Sequence, residues 1–259
     1  MKNIIMYIGY IFFILGCDGE VTNVIQSRNG MVYLPNSDEP FTGRYETFYE
    51  NGQKKIELHI KDGKPDGLDI GWYDNGQKRY EINYKDRKEN GLRTDWNENG
   101  QKLTEANFKD GKQDGLTTVW HDNGQKLAEE KYKDGKQDGL TTKWHDNGQK
   151  YVVENYKNGK QDGLAARWHS NGQKAAEGSY KDGEPDGLHI GWNDNGQKRY
   201  EINYKDRKEN GLRTDWYENG QKAAETNFKD GKQDGLTTVW YDNGQKKSEE
   251  FYESGNIKR

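Results

Sequence analysis

Three histidines recur in one setting. The stretch WHDNGQK runs from Trp120 to Lys126 and again from Trp144 to Lys150, and WHSNGQK runs from Trp168 to Lys174. Imidazoles at a repeated position invite a zinc reading, and zinc needs ligand nitrogens about 2.0 to 2.1 Å from one ion. If each copy lies on its own hairpin, equivalent histidines are two strands, roughly 9 to 10 Å, apart, so His121, His145 and His169 cannot share a metal. Asn97, Asn193, Tyr73, Tyr217 and Tyr241 occupy the same position in other copies, so imidazole is one of several side chains the position accepts. A second series, Glu57, Glu81, Glu105, Glu129, Glu177, Glu201, Glu225 and Glu249, raises glycoside hydrolysis. That chemistry needs two carboxylates about 5 to 9.5 Å apart within a cleft. A flat sheet with a solvated acidic row offers no cleft, and Val153 shows that the position can be neutral. Cross-strand pairing with Lys or Arg is the expected role. The Asp-Gly-Lys-Gln-Asp-Gly segments resemble calcium loops only in composition, because an EF-hand loop needs oxygen ligands at alternate positions and a late Glu, whereas these interpose lysines. No Gly-Lys-Ser/Thr phosphate loop or Gly-x-Ser-x-Gly elbow occurs. The expectation is a protein with no catalytic residue, no metal and no cofactor.

The elements that position these residues are set by a strict period. The tetrapeptide NGQK starts at Asn51, Asn75, Asn99, Asn123, Asn147, Asn171, Asn195, Asn219 and Asn243, always 24 residues apart. Such regularity marks a repeat architecture whose units pack mainly on their neighbours. Trp72, Trp96, Trp120, Trp144, Trp168, Trp192, Trp216 and Trp240 each stand three residues before an NGQK, with Phe48 ahead of the first. A leucine precedes each Trp by four residues, from Leu68 to Leu236. An aromatic follows the Asn by nine, as Tyr84, Phe108, Tyr132, Tyr156, Tyr180, Tyr204 and Phe228, with Ile60 in the first unit. A longer period is superimposed: Ile70 to Trp96 nearly repeats as Ile190 to Trp216, five units later, so part of the likeness between units reflects descent rather than functional demand.

Each unit carries two turn signals. Asp-Asn-Gly or Glu-Asn-Gly favours a hairpin, because Asn and Gly tolerate the left-handed backbone region. Lys-Asp-Gly-Lys-Gln-Asp-Gly, with two glycines, suggests a wider loop, and Pro65 and Pro185 fall there rather than within a repeat strand. A three-residue Asp-Asn-Gly loop with a glycine bulge sets Trp120 opposite Lys126 and on one face with Ala128 and Tyr132. This register gathers the Leu, Trp and Tyr/Phe rows on one face and the recurring Glu on the other, the pattern of an antiparallel sheet wet on one side. The predicted fold is all-β: an elongated single-layer antiparallel β-meander, a hairpin repeat solenoid of 24-residue period. Only 30% of residues are hydrophobic and 32% are charged, but the regularly placed aromatics, 12% of the chain, argue for thin order rather than disorder. Basic and acidic residues, 40 and 44, are mixed throughout, which excludes the concentrated basic patch of a nucleic-acid binder.

The first residues stand apart. Ile4 to Leu15 is apolar except for Gly9, too short for a membrane-spanning helix of roughly 20 residues and suited to a signal-peptide core. It ends in Ile14-Leu15-Gly16-Cys17, which resembles the lipobox of bacterial lipoproteins and implies lipidation of Cys17, the only cysteine. The repeat itself, Trp-x-[Asp/Glu]-Asn-Gly-Gln-Lys-x-x-Glu-x-x-[Tyr/Phe]-Lys-Asp-Gly-Lys-x-Asp-Gly-Leu, resembles the MORN repeat variant found in bacterial proteins called YwqK-type antitoxins. Arg28 to Tyr33 followed by Pro40 to Tyr45 looks like the opening module that precedes such repeats. The expected organisation is a signal peptide over 1–16, a lipidated linker over 17–26, an opening module over 27–50 and nine hairpin repeats over 51–259. The resemblance implies a non-enzymatic protein of the bacterial envelope, membrane-anchored outside the cytoplasm, that binds another protein through its aromatic face. Alternatives are stacking of the Trp and Tyr rings on cell-wall glycan, or neutralisation of a partner toxin.

Overall fold

In a computed structural model, the structure describes residues 20–258; the leader and the predicted lipidation site Cys17 lie outside the described residues. Those residues form no helix and fold as an all-β antiparallel meander. The chain divides into two compact units, Met1–Lys102 with Asn107–Lys112 and Leu103–Ala106 with Gln113–Arg259. In the first, strand Glu20–Thr22 lies parallel to Gly43–Phe48, which pairs antiparallel with Lys54–Lys61; a separate hairpin joins Gln26–Arg28 to Met31–Tyr33. Within each unit, substantial strand packing is between hydrogen-bonded neighbours, so stability comes from nearest-neighbour terms rather than a thick core.

The repeat centred on Asn147 shows how the turns work. Strand Lys136–Trp144 pairs with Lys150–Lys157, and Trp144 stands opposite Lys150. His145 N donates to Gln149 O and Gly148 N to His145 O, closing a three-residue loop Asp146-Asn147-Gly148 in which Gly148 takes a φ of 80°. This is the expected loop. The next step of the ladder pairs Lys143 with Val152, so Tyr151 is an extra residue, a β-bulge.

That bulge overturns the expected single aromatic face. Because one residue is inserted after the lysine, the lysine and the glutamate three positions on fall on the same side: Lys78 Nζ lies 2.5 Å from Glu81 and Lys198 Nζ 2.6 Å from Glu201, and Lys126 pairs likewise with Glu129. The tryptophan of the following strand shares that side, as Lys54 Nζ sits 5.6 Å from the centroid of Trp72. Tyr132 instead hydrogen-bonds Glu130, and Tyr156 hydrogen-bonds Glu154, on the reverse side. Trp120 therefore does not share a face with Ala128 and Tyr132. In the first unit Trp72 and Trp96 share a side with Leu, Lys and Glu, with Tyr84 and Phe108 on the reverse side; in the second, Trp120, Trp144, Trp168, Trp192, Trp216 and Trp240 do so, with Tyr132, Tyr156, Tyr180, Tyr204 and Phe228 on the reverse side. Within each unit, each side has its own thin buried floor: Thr94 on the Trp side and Ile82 on the Tyr side of the first, and in the second Thr118, Thr142, Thr214 and Thr238 on the Trp side and Ala106, Ala128, Thr141, Val152 and Ile202 on the Tyr side.

The second turn is also tighter than expected. Lys157 pairs with Lys160 across Asn158-Gly159, whose φ values of 51° and 82° define a two-residue turn that matches strand twist. The second Asp-Gly pair is not part of that loop. Gly163, at φ 107°, lies inside strand Lys160–Trp168, where the register slips between the Glu154 and Tyr156 pairings. Pro65 accordingly sits in strand Lys64–Trp72, opposite Ile60, and Pro185 opposite Tyr180, each one residue past a turn. Near a strand start the missing proline N–H is tolerated.

Candidate functional site

The residues that define the repeat are bonded to the next repeat. In the NGQK turn the Asn147 Oδ1 accepts from Gln149 N at 3.0 Å, and its Nδ2 donates to Ser170 O at 2.9 Å in the following turn. Asn51, Asn75, Asn123, Asn171, Asn195 and Asn219 do the same toward residues 74, 98, 146, 194, 218 and 242. The glycine leaves room for this stacking, since a Cβ on Gly76 would lie 2.7 Å from Gln53 Oε1. At the other end of the hairpin Asp138 Oδ2 accepts from Asn158 N at 3.1 Å, and Asp114 from Asp134 N at 3.2 Å. The carboxylates that resembled calcium ligands are thus occupied by backbone amides. No group of three or more potential metal ligands occurs among the described residues.

The histidines belong to the same ladder. His145 Nε2 is 3.2 Å from Trp168 O and His169 Nε2 is 3.1 Å from Trp192 O, with His121 Nε2 3.5 Å from Trp144 O. Tyr49, Tyr73 and Tyr217 reach the carbonyls of Trp72, Trp96 and Trp240 through their hydroxyls. His and Tyr both offer a polar tip at the end of a flat ring that reaches this carbonyl, while Asn97 and Asn193 fill the position without a ring; the three histidines each bond to a different repeat's carbonyl.

The recurring glutamates are ion-paired rather than poised as acids. Lys54 contacts both Glu46 and Glu57, at 3.1 and 2.5 Å. Burial alone would raise the Glu57 carboxyl, but Lys54, Arg44 and His59 together hold it below its usual value, the opposite of what a general acid needs. The lysines also cover ring surface: their ammonium groups lie 5.5 to 5.8 Å from the centroids of Trp72, Trp96, Trp192 and Trp216, within cation–π range. All eight tryptophans are half-buried.

On the Tyr side the titratable groups are structural as well. Burial raises the Tyr132 phenol to about 12, assisted by its hydrogen bond to Glu130. Burial likewise raises Tyr80 to about 12, with the nearby Asp69 carboxylate and hydrogen bond adding to it. Burial lifts Asp69 itself, partly offset by the Tyr80 hydrogen bond. The Tyr80 ring lies across its cross-strand partner Gly71 so closely that a Cβ there would come within 2.3 Å of it. In the later unit, His189 lies edge-on between Tyr180 and Tyr204, both at 5.1 Å, and its Nε2–H donates to Ser179 O at 2.8 Å.

One apolar row remains exposed after these ladders are satisfied. On the Trp side Leu116, Leu140, Leu188, Leu212 and Leu236 are 41 to 48% exposed, and Leu164 is 71% exposed. Their spacing of two strands makes the row continuous at roughly 9 to 10 Å intervals. Large apolar side chains repeated on one side of a sheet form the kind of surface that marks an interaction site. Sequence reasoning placed these leucines beside the aromatics but did not single them out; their signal was a large apolar residue four positions before each Trp.

The family described as the MORN repeat variant matches nine segments: residues 41–62, 65–86, 89–110, 113–134, 137–158, 161–182, 185–206, 209–230 and 233–254. Each match holds one Asn-Gly turn and parts of the two strands it joins. No curated protein matches the chain.

Proposed function

Because this chain belongs to the MORN repeat variant family, a family of non-catalytic repeats, we propose that it is a lipid-anchored protein of the bacterial envelope that binds another protein through the leucine-bearing side of its sheet. The observation that carries the reading is the exposed row Leu116, Leu140, Leu164, Leu188, Leu212 and Leu236, beside recurring turn residues that are committed to neighbouring repeats. Recognition would be multipoint, with leucines as anchors and the half-buried tryptophan edges, lysines and glutamates around them. Glycan stacking is less well supported, because lysine ammonium groups already lie over the faces of Trp72, Trp96, Trp192 and Trp216. Toxin neutralisation, the role of the YwqK-type antitoxins that the repeat resembles, would be one form of such partner binding. The anchor rests on Ile14-Leu15-Gly16-Cys17.

The test is crosslinking of the mature protein in its native envelope, followed by purification and identification of the joined chains. One defined partner should be recovered, and Leu188→Asp with Leu212→Asp should abolish its recovery without unfolding the sheet. Undiminished capture by that double variant would refute the leucine row as the binding surface. Incorporation of labelled fatty acid, lost in Cys17→Ser, tests the anchor separately.

A further inference from the structure

The repeat breaks its own rule at one place on the leucine side. Seven lysines of the NGQK turn form an ion pair with the glutamate three residues on: Lys54, Lys78, Lys126, Lys174, Lys198, Lys222 and Lys246. In the repeat that begins at Asn147 the lysine is kept, as Lys150, and the glutamate is replaced by Val153. Lys150 is exposed and makes no ion pair among the described residues. Val153 pairs across the sheet with Ala166, which stands where Thr118, Thr142, Thr214 and Thr238 stand in other repeats. Leu164, two residues from Ala166 on the same side, opposes Ser179, whereas Leu188 and Leu212 oppose Asn203 and Asn227 and Leu236 opposes Phe251. Small neighbours explain why Leu164 stands out at 71% exposure.

We infer that Lys150, Val153, Leu164 and Ala166 form the anchor point of the proposed docking side, and that it takes a protein segment carrying a carboxylate next to a large apolar side chain. The argument is charge complementarity. Elsewhere on this side each of those lysines has its counter-charge built in, so a partner carboxylate would have to displace a glutamate. At Lys150 the counter-charge is missing, and the valine and alanine that replace polar residues make an apolar shelf beside the ammonium. A charge at the edge of an apolar contact is weakly hydrated on one side, which strengthens a pair formed there relative to one in open solvent. A protruding leucine beside small residues presents a large exposed apolar side chain, the kind of surface that marks an interaction site.

The inference rests on the leucine-side reading, and its test separates the two. Val153→Glu restores the residue that the other repeats carry, so folding is not in question. With fluorescent ten-residue peptides built on a Leu-Glu-Leu core or its Leu-Lys-Leu counterpart, the mature chain should bind the acidic peptide at least tenfold more tightly, and Val153→Glu should erase that preference. In the envelope, a zero-length carbodiimide should join Lys150 to an Asp or Glu of the partner adjacent to Leu, Ile, Phe or Met, and Val153→Glu should reduce partner recovery at least tenfold. Lys150→Arg should lose the crosslink and keep the partner. Equal binding of both peptides, or a Val153→Glu protein that retains its partner, would overturn the inference. If Leu188→Asp with Leu212→Asp loses the partner while Val153→Glu does not, the leucine-side reading stands and only this anchor point falls.

Discussion

Replacing Asn147 tests whether the turn residues hold the repeats together. Its side chain makes two bonds with separable roles: Oδ1 accepts from Gln149 N within its own turn, and Nδ2 donates to Ser170 O in the next. Asn147→Asp keeps the acceptor, removes the donor and sets a carboxylate against a carbonyl. Asn147→Ala removes both. Net hydrogen-bond contributions run about 0.5 to 1.5 kcal/mol each, so Asn147→Asp should cost about 1 kcal/mol and Asn147→Ala about 2 kcal/mol. Urea unfolding followed by tryptophan fluorescence measures this as a lowered midpoint at unchanged slope. Asn243 offers a control, because its Oδ1 accepts from Gln245 N while its Nδ2 makes no ladder bond among the described residues; Asn243→Asp should be nearly neutral. An Asn147→Asp protein as stable as the wild type, or an Asn243→Asp protein equally damaged, would refute the ladder as a source of cohesion between repeats.

Other perturbations probe the two faces. Gly71→Ala, which forces a Cβ toward the Tyr80 ring, should destabilise by about 1 to 3 kcal/mol, as overpacking does; Gly71→Ala with Tyr80→Ala should show strong coupling rather than additivity in urea. His145→Tyr should change stability by less than about 0.5 kcal/mol, because tyrosines already make this bond at Tyr73 and Tyr217, and neither zinc nor a chelator should move the melting temperature. Tyr80 and Tyr132 have folded pKa values raised to about 12 from 10.0. Their unfolded forms ionise first, so the stability they confer is complete below pH 10 and is lost as pH rises from 10 toward 12. Tyrosinate absorbance followed alongside unfolding should show a late-titrating fraction in the folded protein that shrinks in Tyr80→Phe with Tyr132→Phe, with Tyr84, Tyr156 and Tyr204, also raised by burial, accounting for what remains.

The period, the strands and the three-residue Asp-Asn-Gly loop were legible because they depend on local chemistry: Asn and Gly at left-handed positions and apolar residues at fixed spacing. The assignment of faces was not. It turns on the single extra residue after each turn lysine, and that bulge position is filled by Lys55, Arg79, Leu103, Leu127, Tyr151 and Ala175 without a common property. With no residue signature to mark it, alternation counted straight through the bulge placed Tyr132 with Trp120. The second turn was misjudged for a related reason. Two Asp-Gly pairs in seven residues looked like one loose loop, whereas Asn158-Gly159 makes the reversal and Asp162-Gly163 bends the strand that follows. As for the site, Val153 was visible as an exception among glutamates, but its meaning required knowing that Lys150 and the glutamate position lie side by side.

The ladder also bears on how such a chain changes length. Asn147 bonds to residue 170, Asn171 to 194, and Asn195 to 218, each time to the equivalent carbonyl one repeat on. A recombination that adds or removes whole repeats therefore creates junctions chemically identical to those already present and orphans no buried donor or acceptor. The five-repeat offset between Ile70–Trp96 and Ile190–Trp216 is the pattern such an event leaves. An insertion of any other size would strand a row of amides opposite the wrong turns. Selection can thus alter reach and the number of leucines presented in steps of one repeat, while a single irregular repeat such as that of Lys150 and Val153 keeps its identity as the array around it grows.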